Sequence, residues 1–435
     1  DDNSVSLLPH LRQYLLWKQS LMKDPDKVRE LYRRAALYYE LHDQILPALQ
    51  CCEKAGDKAE IRSLLIKNAQ RNPGAGYYYE LRRYYLEMPE EEVRESPVLI
   101  AALSMVCSLM MQPEESERWF SVLEDYARDR KNTPAQCKEA KKWIFYLQIA
   151  LPHRGSVEMA DLLKGAMKMV ANKEVRLPEF SVTSNQPSIV NGGKDFCEWT
   201  HKDRQMYATM RKPAEMVLGR LGKGLAEIAL AESLLEKGGE DLYEIMTLLN
   251  TGYAKADLAG SLELCFVADA NLAKIHILKG QPDLAVKQLE DFKAKIKDRS
   301  DERMLQNLQA MEMWIGLLQG NLTGMKRWIE NEAPQELKDF TLLERYRYLM
   351  KIRAYLADGN LEAAQNLTQR LSVYFREYHR TYMDMENEVL RAVVQYRIGT
   401  PRWKQTLAAV LPRLEEYHFL FLAAKIGRAS CRERV

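Results

Sequence analysis

The sequence is poor in the residues that mark short strands and tight turns. Its 435 residues include 21 glycines and 16 prolines, both below the usual shares of about 7% and 5%. This shortage disfavours a turn-rich all-β fold. The seven cysteines show no paired spacing, which argues against a secreted disulfide framework. With 63 Lys+Arg against 61 Asp+Glu, the chain also lacks the basic excess of a general nucleic-acid binder.

Long apolar runs and targeting signals are missing as well. The longest apolar stretch, from Val98 to Met111, lies between Pro97 and Pro113 and is too short to span a bilayer, so we expect a buried helix there. The polar, acidic first residues do not form a signal peptide. Together with the scattered cysteines, these absences predict a cytoplasmic protein without a membrane segment.

What the sequence does contain is an internal repeat of helical segments. Apolar residues recur at three- and four-residue spacing through most of the chain, which is typical of amphipathic helices. Five helical segments end at a glycine: Gly239, Gly280, Gly320, Gly359 and Gly399. Successive glycines are 41, 40, 39 and 40 residues apart. A glycine in the left-handed conformation ends one helix and lets the next begin.

A unit of about 40 residues accommodates two helices of roughly four turns each, with two turns between them. Such a hairpin cannot bury its apolar face alone, so neighbouring units must stack. The repeat therefore predicts an all-α, tetratricopeptide-like superhelix of helical hairpins with a period of about 40 residues. The alternative is an irregular helical bundle in which the glycine spacing arises by chance.

One stretch, residues 177–199, interrupts the helical pattern. It places Phe180 to Thr183 and Ser188 to Asn191 on either side of a Ser-Asn-Gln-Pro turn, followed by Gly192 and Gly193. We expect a short hairpin or an ordered loop, because loops of this length in compact folds are usually functional or disordered and this one carries aromatic residues. It is the one inserted non-helical loop of the predicted fold.

Two segments near the N-terminal end resemble a known family. The first is Leu31-Tyr-Arg-Arg-Ala-Ala36, followed by Pro47-Ala48-Leu49 and Ala55-Gly56-Asp57; the second is Ser96-Pro97-Val98-Leu99. Together with the repeats from Asp269 to Leu289, these segments are similar to the region after the winged-helix module of large LuxR-type, MalT-like ATP-dependent transcriptional regulators. The resemblance covers roughly residues 7 to 422.

The resemblance implies a division of the chain into functional regions. Residues 1–95 would be a helical linker region that follows an ATPase and winged-helix part, and residues 96–422 the helical-repeat sensor, with residues 177–199 as its inserted loop. Residues 423–435, which end in the sequence GRASCRERV, are expected to be a vector-derived or otherwise non-native tail. The family's ATP would bind in the N-terminal module, not in these residues.

The same resemblance implies a sensor that binds a small-molecule inducer or a regulatory protein and controls self-association of the parent protein. In such a protein a separate helix-turn-helix module binds DNA, so we expect no direct nucleic-acid contact by these residues. The reading from the residues alone leaves two rivals open. One is a stand-alone helical-repeat scaffold that binds a peptide or protein, and the other is an α-helical enzyme acting on carbohydrate.

Candidate contact residues fall in the loop and in two aromatic-basic clusters. Tyr78, Arg82 and Tyr85 would share one helical face, and Arg380 lies in a second cluster with neighbouring tyrosines. These clusters fit either inter-helix packing or a groove that recognises a sugar, peptide or protein partner. In and beside the loop, the residues expected to contact a ligand or partner are Phe180, Asn185, Asn191, Lys194, Asp195, Trp199 and Arg204.

No catalytic, cofactor or metal motif is recognisable in the sequence. The segment from Asn191 to Asp195 lacks the spacing of a phosphate-binding loop. Gly219, Gly222 and Gly224 follow a helical pattern, which indicates a helix break or a close-packing point and not a dinucleotide site. None of the seven histidines occurs in an HExxH motif, so a metal site is not expected.

Overall fold

The structure is a computed structural model of the chain, and it describes residues 9–20, 24–171, 181–238, 241–297, 302–338 and 340–424. Across these ranges the chain forms helices, turns and bends with no β-strand, so the predicted all-α class is confirmed. Within the same ranges, no helix combines the length and apolar character needed to cross a membrane.

The helices of the first half, up to the inserted loop, are followed by those of the second half. The first set is α1 (Pro9–Ser20), α2 (Pro25–Leu41), α3 (Ile45–Ala55), α4 (Lys58–Arg71), α5 (Ala75–Glu80), α6 (Arg82–Leu86), α7 (Glu90–Arg94), α8 (Pro97–Leu109), α9 (Pro113–Arg128), α10 (Pro134–Ala150) and α11 (Met159–Ala171). The second set is α12 (Cys197–Thr200), α13 (Asp203–Leu218), α14 (Leu225–Glu236), α15 (Leu242–Leu258), α16 (Leu262–Leu278), α17 (Pro282–Ile296), α18 (Glu302–Leu318), α19 (Leu322–Asn331), α20 (Arg345–Asp358), α21 (Leu361–Glu377), α22 (Thr381–Ile398) and α23 (Arg402–Tyr417). Two 3₁₀ turns lie at Gly219–Gly222 and Leu342–Glu344.

The long apolar stretch forms α8 up to Leu109, as expected, and every residue of α8 is buried. Pro97 occupies its first turn, where a missing N–H costs nothing, and Pro113 begins the next helix. Helix α8 packs against α9, α10 and the short helices α5 to α7. It is the centre of the first half of the fold.

The glycine turns join helices in pairs in the second half of the fold. Gly280, Gly320, Gly359 and Gly399 all have positive φ and separate α16 from α17, α18 from α19, α20 from α21, and α22 from α23. The fifth glycine of the repeat, Gly239, lies outside the described residues, while its neighbour Gly238 has φ +70° at the end of α14. The predicted left-handed helix ends are therefore present at the four described positions.

The two helices of each pair differ in burial, and this difference determines which side chains reach the interior. The first helices α16, α20 and α22 are buried on nearly all sides and carry charged residues that are themselves buried. The second helices α17, α19, α21 and α23 bury one face only. Charged residues on a first helix must therefore find partners inside the protein.

Parts of the chain that are far apart in sequence meet across this arrangement. The Tyr378 hydroxyl donates a hydrogen bond of 2.7 Å to the carbonyl of Ser108 in α8. The Tyr417 hydroxyl donates to Glu198, and the Tyr417 ring stacks on His201 at 4.7 Å between ring centres. The C-terminal helices thus contact both α8 and the residues that follow the inserted loop.

Candidate functional site

The described part of the inserted loop, residues 181–196, lies inside the protein. Most of its residues are buried, and it forms turns and bends instead of a strand pair. Gly193 donates its backbone N–H to the carbonyl of Val182 at 3.0 Å, which folds the loop back on itself. A Cβ atom at Gly192 would stand 2.3 Å from the Ser188 carbonyl oxygen, so only glycine fits there. Of the two expected forms, the described residues show the ordered loop.

Acidic side chains of α14 and α16 hold the N–H and hydroxyl groups of the loop. Glu232 accepts hydrogen bonds from the Ile189 and Val190 backbone N–H groups at 2.7 and 3.2 Å, and from the Ser188 hydroxyl. Burial raises the pKa of Glu232, although Lys274 acts in the opposite direction. Glu263 accepts from the hydroxyls of Ser181 and Thr183, each at 2.9 Å.

Basic side chains of α20 and α22 hold the carbonyl groups at the other end of the loop. Arg345 donates to the carbonyls of Leu342 and Gly192. Arg380 donates to the carbonyls of Gly192 and Gly193, at 3.1 and 2.7 Å. Both arginine side chains are 1% exposed. The loop backbone is therefore bound by complementary charge, in the way that a receptor binds a peptide.

Lys194 and Asp195 anchor the end of the loop. The Lys194 ammonium donates to the carbonyls of Leu151, Arg154 and Gly155, at distances of 3.1, 2.8 and 3.4 Å. Burial, with a contribution from Arg380, lowers the pKa of Lys194 to about 7. The Asp195 carboxylate accepts backbone N–H groups of Cys197 and Tyr382, both at 2.9 Å. Lys194 is thus bound to backbone carbonyls and is not placed as in a phosphate-binding loop.

A cavity of about 980 Å³ lies between this loop and the surrounding helices. One part of its wall belongs to an apolar cluster separate from the main core, and the cluster residues Ile149, Met159, Leu163 and Met210 line the cavity. The rings of Phe196 and Trp199 pack edge-to-face on each other, with their centres 5.1 Å apart. Both rings contact this apolar cluster, and both line the cavity. Another part of the wall carries Arg303, Arg345 and Arg380. A cavity with an apolar wall and a few buried polar groups is the usual form of a small-molecule site.

The structure brings some of the candidate residues to this cavity and leaves others away from it. Asn185, Lys194, Trp199 and Arg82 line the cavity. Asn191 and Asp195 are buried in the loop next to it, whereas Arg204 is exposed and forms a two-bond ion pair with Glu244 at 2.7 and 2.8 Å. Phe180 lies outside the described residues, as do residues 425–435 of the expected tail.

The first aromatic-basic cluster divides into two parts because Leu81 separates α5 from α6. Tyr78 and Tyr85 are buried and their ring centres lie 5.9 Å apart, which is the packing alternative considered for them. Arg82 instead donates to the Tyr79 carbonyl at 2.9 Å and lies over the Tyr79 ring. Tyr79 lines the cavity together with Arg82, while Tyr78 and Tyr85 do not.

Sequence reasoning missed several groups of the site. Glu232, Glu263 and Arg345 were not singled out, nor were the methionines of the apolar wall. The position of a charged residue within its hairpin could have identified these groups. A charged residue on a first helix, which is buried on nearly all sides, must have a polar partner in the protein interior. Of the four charged helix residues that hold the loop, only Arg380 was noted from the sequence, through its aromatic neighbours.

A hydrogen-bonded Ser-His-Glu chain lies elsewhere in the fold. Ser108 Oγ is 2.8 Å from His153 Nδ1, and His153 Nε2 is 2.7 Å from Glu117 Oε1. The Ser108 side chain is fully buried in α8, and none of the three residues lines the cavity. The arrangement therefore gives a substrate no access to the hydroxyl, and it joins α8, α9 and the turn after α10.

In the described ranges, no group of three or more His, Cys, Asp or Glu side chains is arranged so that it could hold a metal ion.

A scan against protein-family models finds no match to the chain, and a search of curated proteins finds no similar sequence.

Proposed function

We propose that this chain is the ligand-sensing and self-association arm of a LuxR-type, MalT-like ATP-dependent transcriptional activator, and that it is not itself an enzyme. In this proposal the helical hairpins form a tetratricopeptide-like superhelix with a period of about 40 residues, in the cytoplasm. The observation that carries the proposal is the cavity of about 980 Å³ between the inserted loop and the surrounding helices. A site of this size accommodates a metabolite-sized molecule.

The proposed mechanism is linkage between ligand binding and assembly. The cavity wall combines α11, α13 and α14 with the loop and the first residues of α16, α18 and α20. A ligand there contacts elements from both halves of the fold at once. If it binds the assembly-competent arrangement of these elements more tightly than the resting one, it shifts the population toward assembly.

Helices α1 and α2 support the role of an arm attached to another module. They expose large apolar side chains in an unusual concentration: Leu11, Tyr14, Leu15, Trp17, Leu31, Leu37, Tyr38 and Leu41. Exposed apolar patches of this kind usually mark an interaction surface. In the proposal the surface packs against the ATPase and winged-helix part that would precede this region.

The first test is a thermal-shift screen of the chain against a metabolite library. We expect at least one compound to raise the melting temperature by several degrees, because a ligand that binds only the folded state stabilises it. The variant Ala229→Phe places a ring in the cavity, and Ala408→Phe makes the same change on an exposed face of α23. The shift should persist in Ala408→Phe and be lost in Ala229→Phe. A shift that is equal in both variants would place the ligand outside the cavity.

The second test separates the sensor arm from a stand-alone peptide-binding scaffold. The loop occupies part of the inner face with its own backbone, through Glu232, Arg345 and Arg380, which is also how a scaffold would hold a peptide. In the full-length protein, the arm predicts that the stabilising compound changes oligomeric state and DNA binding. A full-length protein whose assembly is indifferent to every ligand of this chain would favour the scaffold.

A further inference from the structure

The buried charged residues in α20 and α22 and at their N-terminal ends fall into two groups. Most are in close ion pairs, such as Arg353 with Glu386 at 2.6 Å and Arg347 with Glu344 at 2.6 Å. Arg345 and Arg380 are as deeply buried, yet no carboxylate of the described residues lies within 4.0 Å of either guanidinium. Their partners are the neutral backbone carbonyls of the loop and of Leu342.

These two guanidinium groups have more donors than acceptors. A guanidinium carries five N–H donors, and Arg345 and Arg380 make two hydrogen bonds each, with the Gly192 carbonyl shared between them. The Nε atom of each is buried without a partner among the described residues. Burial and the neighbouring charge of Arg380 lower the pKa of Arg345 to about 9. Glu344, which is paired with Arg347, acts in the opposite direction on Arg345. No carboxylate of the described residues forms an ion pair with the Arg345 guanidinium itself.

Helix ends add to this positive potential. Arg345 is the first residue of α20, and Arg380 is the N-cap of α22. The cavity wall also includes the first residues of α14, α16 and α18. Five helix N-termini therefore lie around one cavity, and a helix N-terminus favours negative charge. At α22 the Tyr382 N–H of the first turn already donates to Asp195.

Three of the four acidic side chains in the described cavity wall have partners of their own. Glu263 accepts from Ser181 and Thr183, Asp203 is paired with Lys237 at 2.8 Å, and Glu302 accepts from Gln306. The fourth acid, Glu80, is exposed to solvent. Of the acids outside the wall, Asp195 is occupied by the two backbone N–H groups that it accepts. The charge of Arg380 acts to lower the pKa of Asp195 against the effect of burial. No carboxylate of the described residues, however, forms an ion pair with Arg345 or Arg380.

We propose that the cavity binds an organic anion, with its carboxylate or phosphate head at Arg345 and Arg380 and its apolar body against the cluster of Met159, Leu163 and Met210. The charged head would give the two guanidinium groups the acceptor that the described protein residues do not supply. The methionine-rich wall would adapt to an aliphatic or aromatic body. This inference rests on the proposed ligand-sensing role of the cavity and specifies the chemical class of the ligand.

The test is a calorimetric comparison of anions with neutral molecules of the same body. The probes are octanoate against octanamide, 3-phenylpropionate against 3-phenylpropionamide, and octyl phosphate against octanol. We expect at least one anion to bind about 10- to 100-fold more tightly than its neutral counterpart, which is the usual effect of charge-assisted hydrogen bonds. The pair that shows the preference distinguishes a carboxylate head from a phosphate head.

The variants Arg345→Met and Arg380→Met should remove this preference, and Arg345→Lys and Arg380→Lys should retain most of it. Each arginine also holds the loop, so the comparison is restricted to variants whose melting temperature stays within a few degrees of the wild type. The lysine variants keep the test open if methionine unfolds the loop. Neutral probes that bind as tightly as the anions, with binding lost in Ala229→Phe, would overturn the inference and leave the ligand-sensing role intact. An anion preference that survives in Arg345→Met and Arg380→Met, or no binding by any probe at millimolar concentration, would also overturn it.

Discussion

At the scale of single residues, the carboxyl group of Asp269 shows how burial changes the titration of an acid. Asp269 lies in the middle of α16, where helical spacing alone gives no reason to distinguish it from a surface acid. In the structure it is 3% exposed and accepts a hydrogen bond of 2.6 Å from the Gln288 amide. Burial raises the pKa of Asp269 to about 7, while Gln288 and Lys295 act in the opposite direction.

This environment predicts a pH-dependent stability that Asp269→Asn removes. Between about pH 4 and pH 7 the folded protein holds a proton that the unfolded chain has lost, so Asp269 makes the free energy of unfolding fall as the pH rises through this window. The free energy of unfolding of the variant, relative to that of the wild type, should therefore rise by about 1–4 kcal/mol from pH 5 to pH 8. Denaturant unfolding at the two pH values checks this. An equal difference between the two proteins at both values would show that Asp269 does not titrate with a raised pKa.

At the scale of elements, the sequence predicts where helices end better than how closely they pack. Positive φ at Gly280, Gly320, Gly359 and Gly399 follows from spacing that is visible in the sequence. The close contact between the start of α14 and the middle of α15 is not visible in the sequence. There, a Cβ atom at Gly252 would stand 2.5 Å from Ile228 Cγ1. Gly224, identified beforehand as part of a helix break or close-packing point, lies against the Gly252 backbone.

Two mid-helix glycines give a matched pair of substitutions with opposite expected signs. Gly252→Ala forces α14 and α15 apart and should lower the free energy of unfolding by about 1–3 kcal/mol. Gly165→Ala in α11 meets nothing within 4 Å and should raise it by about 0.5–1 kcal/mol, because alanine favours the helix. Thermal unfolding of both variants checks the pair. Similar effects of the two substitutions would contradict the close packing of α14 on α15.

At the scale of the whole molecule, the fold class was predictable and the position of the loop was not. Helical periodicity and glycine spacing are local signals, and they predict the all-α class and the hairpin turns of the second half. The path of residues 181–196 depends on groups distant in sequence, such as Glu232 on α14 and Arg380 on α22. Such pairings have no periodic signal, so the sequence pointed to Lys194 and Trp199 as contact residues without showing that they line a cavity.

The central claim is that the cavity between the loop and the surrounding helices is a site for an organic anion. The most direct measurement is a crystal structure of the chain grown with the anion that binds most tightly in the calorimetric series. The account predicts that the molecule lies in the cavity, with its head within hydrogen-bond distance of Arg345 and Arg380 and its body against Met159, Leu163 and Met210. A molecule bound outside the cavity, or one whose head lies away from both arginines, would contradict it.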